Sequence, residues 1–288
     1  MKKVMIVVAI LALASLVNAS DIVANFDGGN GETSVDQYKG IAGDGWTSAW
    51  VESYHEPESA LSAGVQNANP LNGGGNYLQT TLSATTGGWT NNMQGGVCRS
   101  YAVADDTAPA TISMDIRLDS AVGWGDGAEP DDPENERLDK VAIFGNTAGP
   151  IHGTSSSNTY SIHAEGVTGT WWIQNGSGWN DAYDSGFAAN FGDVYNIAIA
   201  ARPGANGDGR GLFDVTITNL TSGGSHTALN NVWRNSGGVL GDTLCVTGRV
   251  SSDDEFVTYS VDNITIVPEP ATMLLLGIGG FALLRKRS

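Results

Sequence analysis

The sequence predicts an all-β fold, an antiparallel β-sandwich, and three observations carry that expectation. Apolar and polar residues alternate in short runs along the middle of the chain, the period of a strand with one buried face. Gly, Asn, Asp and Ser fill the intervals between those runs, as tight turns require. No convincing helical pattern interrupts them, so neither an alternating α/β order nor a bundle is expected.

The elements follow in order. Strands are predicted over 22–26, 77–82, 97–103, 111–118, 141–144, 160–164, 170–174, 194–200, 212–218, 243–250 and 256–266. In 111–118 the alternation is complete, with Ile112, Met114, Ile116 and Leu118 on one side, and Phe213, Val215 and Ile217 repeat the pattern. The Gly-rich stretch 204–211 reads as the loop of a hairpin joining 194–200 to 212–218. The last strand changes parity, since Tyr259 and Val261 set one face and Ile264 and Ile266 the other. A bulge at Asp262-Asn263 would reconcile them. Asp262, with Asp27 from the first strand, is therefore a candidate oxygen-ligand pair for a structural Ca2+, against a merely local turning-in of two polar side chains.

The two ends stand apart from this pattern. Lys2-Lys3, an apolar run to Val17 and the small-residue sequence Val17-Asn18-Ala19 read as a signal peptide over 1–19, cut between Ala19 and Ser20 by a signal peptidase. At the other end Pro268-Glu269-Pro270 precedes an uncharged stretch of 14 residues, Ala271 to Leu284, and the basic stop Arg285-Lys286-Arg287. As a helix those 14 residues span about 21 Å, short of a hydrocarbon core of about 30 Å. A marginal transmembrane helix is expected, its basic end cytoplasmic and everything before Pro268 outside. The sandwich is thus flanked by an N-terminal signal helix and a short C-terminal membrane helix, with domains 1–19, 20–266 and 267–288.

The motif Pro268-Glu269-Pro270-Ala271, the apolar segment with Gly277, Gly279 and Gly280, and the closing Arg-Lys-Arg resemble the PEP-CTERM sorting signal. That resemblance implies an exported bacterial protein, transiently anchored in the membrane and processed by an exosortase, a partner that supplies the catalytic residues itself. The opening Ile-Val-Ala-Asn-Phe-Asp-Gly-Gly and the closing Tyr-Ser-Val-Asp-Asn-Ile-Thr-Ile resemble the first and last strands of lectin-like, concanavalin A-like jelly rolls. In such folds the two chain ends pair in one sheet.

Composition narrows the function classes. Nine of the 14 Lys and Arg but 30 of the 31 Asp and Glu lie between Ser20 and Val267. Such an acidic domain lacks the basic patch that nucleic acid demands, and it suits an extracellular protein or one that gathers divalent cations. Gly is frequent, at 39 of 288, yet without the Gly-X-Y period of collagen. Cys98 and Cys245 are the only cysteines. Alternation puts each on the more polar side of its strand, so a cross-link between neighbouring strands is the expectation, two separate thiols the alternative.

Few residues offer chemistry. Between Asp119 and Asp139 stand eight acids, and Glu129, Asp131 and Glu134 match the Glu-x-Asp-x-x-Glu spacing of laminarinase-type glycoside hydrolases. Pro130 and Pro133 break the strand that such a pair needs, and a solvated acidic loop is the favoured reading. His55, His152, His163 and His226 have no metal-site spacing. Of the eight tryptophans, Trp172 and the loop-borne Trp179 are the candidate ligand-binding pair, because alternation sends Trp171 inward with Ile173. The expected function is a non-catalytic binding or structural module of the cell surface or extracellular matrix, with extracellular polysaccharide as a candidate ligand. A polysaccharide-active enzyme, a glycoside hydrolase or lyase on the same architecture, is the alternative.

Overall fold

The computed structural model describes residues 21–27, 46–54, 59–84, 93–103, 105–122, 139–148, 156–166, 168–176, 178, 181–250 and 255–269. These form two antiparallel sheets packed face to face. One runs in the order β13 (Ser225–Val232), β12 (Leu212–Asn219), β11 (Val194–Arg202), β6 (Ala110–Val122), β15 (Phe256–Pro268), β4 (Tyr77–Ala84) and β3 (Ser59–Gln66), with β1 (Ile22–Ala24) pairing β15 beyond the end of β4. The other runs β10 (Ala182–Ala188), β9 (Thr170–Gln174), β8 (Asn158–Glu165), β7 (Asp139–Asn146), β14 (Thr243–Val250), β5 (Met93–Ser100) and β2 (Val51–Tyr54). Among the described residues no helix is long and apolar enough to cross a membrane. Both terminal helices of the sequence reading lie outside the described residues.

Alternation builds the core. Ile112, Met114, Ile116 and Leu118 of β6 are fully buried, as are Phe213, Val215 and Ile217 of β12. From the facing sheet, Val246, Ile143, Ile162 and Ile173 stand in one row across β14, β7, β8 and β9. The Tyr259 hydroxyl crosses the sandwich and donates to the Val246 carbonyl at 2.7 Å, which satisfies it at that depth. Arg99 is buried among aromatic rings, its guanidinium 4.4 Å from the Trp46 ring centroid and its Nε bonded to the Ser48 carbonyl.

The sequence expectations fare as follows. The hairpin through 204–211 joins β11 to β12 in unbroken register. The first and last strands pair, Ile22 opposite Ile266. The register of β15 shifts between Asp262 and Thr265, with Asn263 at φ 50°, and this bulge lets Tyr259, Val261, Ile264 and Ile266 all face inward. It falls where β15 changes partner from β4 to β1. Four strands, β2, β3, β10 and β13, have no counterpart in the sequence reading. The last strand runs past its expected end at residue 266. β15 runs on to Pro268, which stands opposite Ala110.

Candidate functional site

The outward face of the seven-stranded sheet is assembled from the residues that alternation turns away from the core. One row across it reads Asp184, Trp172, His163, Ala142, Thr247, Gly96 and Ser53, each opposite the next on the adjacent strand. The parallel row holds Ser161, Phe144, Cys245, Cys98 and Val51. Of the first row only Asp184 and Trp172 reach solvent; His163, Ala142, Thr247, Gly96 and Ser53 are buried, as are Ser161, Phe144, Cys245 and Cys98 of the second. Gly96 has no room for a side chain, since an added Cβ would meet the Val246 carbonyl and the Thr247 backbone.

The second row contains the expected disulfide. Cys98 and Cys245 are directly opposed on β5 and β14 and are bonded, with Cα atoms 4.2 Å apart. Phe144 and Ala142 pack around it in a small apolar cluster separate from the main core.

At the β9–β10 end of the first row stands Trp172, partly exposed, while Trp171 is fully buried. The Trp172 indole is held in place: its N–H donates to Thr168 Oγ1 at 3.0 Å. Thr168 in turn donates to Glu165 through both its backbone N–H and its hydroxyl, each at 2.8 Å. The Thr168 and Thr170 hydroxyls lie 2.6 Å apart, and Thr170 donates to Asp184 Oδ1 at 2.7 Å. On the other side of the ring, His163 shares its Nε2 with the Ser161 hydroxyl at 2.9 Å. An aromatic face thus sits between two carboxylates, two hydroxyls and an imidazole, with its orientation fixed before any ligand arrives. Glu165 and Asp184 already accept hydrogen bonds that shape the turns around them. Trp179, with Glu129, Asp131 and Glu134, lies outside the described residues, as do Ala19, Ser20, Pro270 and Arg285-Lys286-Arg287.

The parity of the Trp-Trp pair revealed Trp172 in the sequence, but its supporting residues were missed. Thr168, Glu165 and Asp184 come together only through the β8–β9 turn and the β9–β10 register. The pattern Glu-x-x-Thr-x-Thr-x-Trp was the available signal.

The Asp27 and Asp262 pair is brought together across β1 and β15, and Asp115 of β6 joins it. Asp115 accepts from Asn196 at 2.8 Å and from Asn263 at 2.9 Å, and Asp27 Oδ1 accepts the Asn76 N–H at 2.7 Å. Asp262 is 2 % exposed and uses only Oδ1, for the Asn263 N–H. Burial, with the neighbouring charges of Asp27 and Asp115 and against that one N–H, pushes the Asp262 carboxyl up to about 7. No Lys or Arg pairs with these carboxylates among the described residues. The donors are all of the hard oxygen type that Ca2+ takes, yet no three acids, His or Cys converge as a ready ligand set among the described residues.

Residues 267–288 match the PEP-CTERM protein-sorting motif. The chain therefore carries a signal for export and sorting at the cell envelope. No curated protein matches the chain. Among solved structures, lectin II from Ulex europaeus is similar at 14 % identity and a TM-score of 0.44, covering 76 % of this chain and 97 % of that one. The alginate lyase from Aplysia kurodai is similar at 12 % identity and a TM-score of 0.46, covering 73 % and 87 %. A protein of unknown function from Shewanella oneidensis MR-1 is similar at 12 % identity and a TM-score of 0.45, covering 91 % and 93 %. These likenesses concern the lectin-like sandwich alone.

Proposed function

We propose that this protein is an exosortase substrate of the cell surface or extracellular matrix, whose sandwich is a non-catalytic module binding polysaccharide at the β9–β10 end of its seven-stranded sheet, where Trp172 and Asp184 reach solvent. The observation that carries this reading is the fixed, partly exposed Trp172 ring flanked by Asp184 and Thr170. A sugar ring stacks its C–H face on an indole and offers its hydroxyls to carboxylates and hydroxyls beside it. A non-catalytic role is supported by the burial of Glu165 and by the way Glu165 Oε2 and Asp184 Oδ1 are taken up by the Thr168 and Thr170 hydroxyls and the local backbone. The test is a glycan array with the mature domain and its Trp172→Ala variant. Binding by the former, lost in the latter at an unchanged melting temperature, is expected; equal binding by both would sink this assignment. Depolymerisation of a bound polymer would instead make the protein an enzyme.

Ca2+ is the proposed structural ligand of Asp27 and Asp262. It is supported by their oxygen-rich surroundings, by the lack of a cationic side chain pairing with them among the described residues, and by Asp262 Oδ2, which takes no hydrogen bond among them. Millimolar Ca2+ is expected to raise the melting temperature of the wild type and leave Asp262→Asn unmoved. A wild type indifferent to Ca2+ and to chelator would show that the carboxylates are balanced without a metal.

A further inference from the structure

The strand at the centre of one sheet is also the start of the sorting motif. Val267 stands opposite Thr111 and Pro268 opposite Ala110 in the ladder between β15 and β6. Beyond them the Glu269 N–H donates to the Pro109 carbonyl at 2.8 Å. Pro268 is buried and Val267 partly so. The proline fits because successive N–H groups of a strand point to opposite edges. The Glu269 N–H points to β6, so the Pro268 nitrogen points to the other edge, past the last pair that β15 makes with β1, Ile22 with Ile266.

No spacer therefore separates the folded domain from the motif. A processing enzyme takes its substrate as an extended segment, using the backbone edge and the side chains on both sides of the recognised residues. Here one backbone edge of Val267–Glu269 is occupied by β6, and the Pro268 ring is enclosed. We propose that the folded domain gates its own sorting, because Val267–Glu269 must peel from β6 before the Pro-Glu-Pro segment can enter the sorting enzyme. The opening is local: it breaks the end of one ladder and leaves the bulge and the core pairs of β15 in place. The inference rests on the reading of the chain as an exosortase substrate.

Two variants test it in cells that make the enzyme. Val267 and Thr111 are directly opposed, a hydrogen-bonded pair of the ladder with Cα atoms about 5.5 Å apart, within disulfide reach, and both are partly exposed. The pair Val267→Cys with Thr111→Cys should close a second cross-link and lock the strand end. The locked protein is expected to accumulate uncleaved, while Val267→Cys alone is processed at the wild-type rate. A Gly-Ser spacer inserted between Val267 and Pro268 frees the motif and is expected to speed processing. Processing of the locked protein at the wild-type rate, or a spacer without effect, overturns the gate while leaving the sorting reading intact. A wild type never cleaved by the enzyme overturns both.

Discussion

Asp262 links a single ionisation to the stability of the whole sheet. Its carboxyl titrates at about 7 in the fold, against an ordinary 3.8, because it is buried beside two other acids. The folded state thus binds a proton that the unfolded chain has already released. Stability therefore falls as pH rises from about 4 to about 7 and levels off above that. Asp262→Asn keeps an oxygen for the Asn263 N–H and removes the charge. In urea titrations without metal, the variant is expected to be more stable than wild type at pH 8 by roughly 1–3 kcal/mol, with no such gain at pH 4. A variant less stable at pH 8 would show that the charge is needed. The sequence made Asp27 and Asp262 visible through the parity break in the last strand. Asp115 was hidden, since only the order of strands, β6 next to β15, brings it beside them.

At the scale of elements, the legible strands are the interior ones and the missed strands are the edges. β3 and β13 end one sheet, β10 and β2 the other. A strand with two neighbours and a packed face must alternate, whereas an edge strand such as Ser225–Val232 carries Ser, His, Thr and Asn with only two buried positions. The apolar period that reveals β6 or β12 is therefore absent from it. The disulfide was readable because both cysteines broke the apolar face of otherwise clear strands. Sequence separation of 147 between them gives a chain-entropy stabilisation of about 5 kcal/mol. Denatured, unreduced protein is expected to yield no free thiol, and reduction to lower the urea midpoint sharply; two titratable thiols would contradict the bridge. Gly96, two residues before Cys98 on β5, is expected to tolerate no side chain. Gly96→Ala should cost roughly 1–3 kcal/mol through displacement of β14.

At the scale of the molecule, the C-terminal end matches a sorting motif. The arrangement of strands within the sheets was not legible, because pairing between segments far apart in the chain leaves no local trace. Mass spectrometry of protein released from the cell surface is expected to find a form without Arg285-Lys286-Arg287. Recovery of that triplet on the released form would argue against processing.

The position of β15 also decides how the domain carries a mechanical load. A chain tethered by its C-terminal end is pulled along β15, which lies between β6 on one side and β4 and β1 on the other. The ladder hydrogen bonds run perpendicular to that pull, so drag on the domain stretches many of them together, in shear, instead of parting them one by one. A tether on an outer strand such as β13 would be peeled open bond by bond at far lower force. Single-molecule extension from residue 269 should therefore meet a much higher rupture force when the second handle shears β15 than when it is placed to peel β13. Paired on both edges, β15 is the strand that can bear such a load.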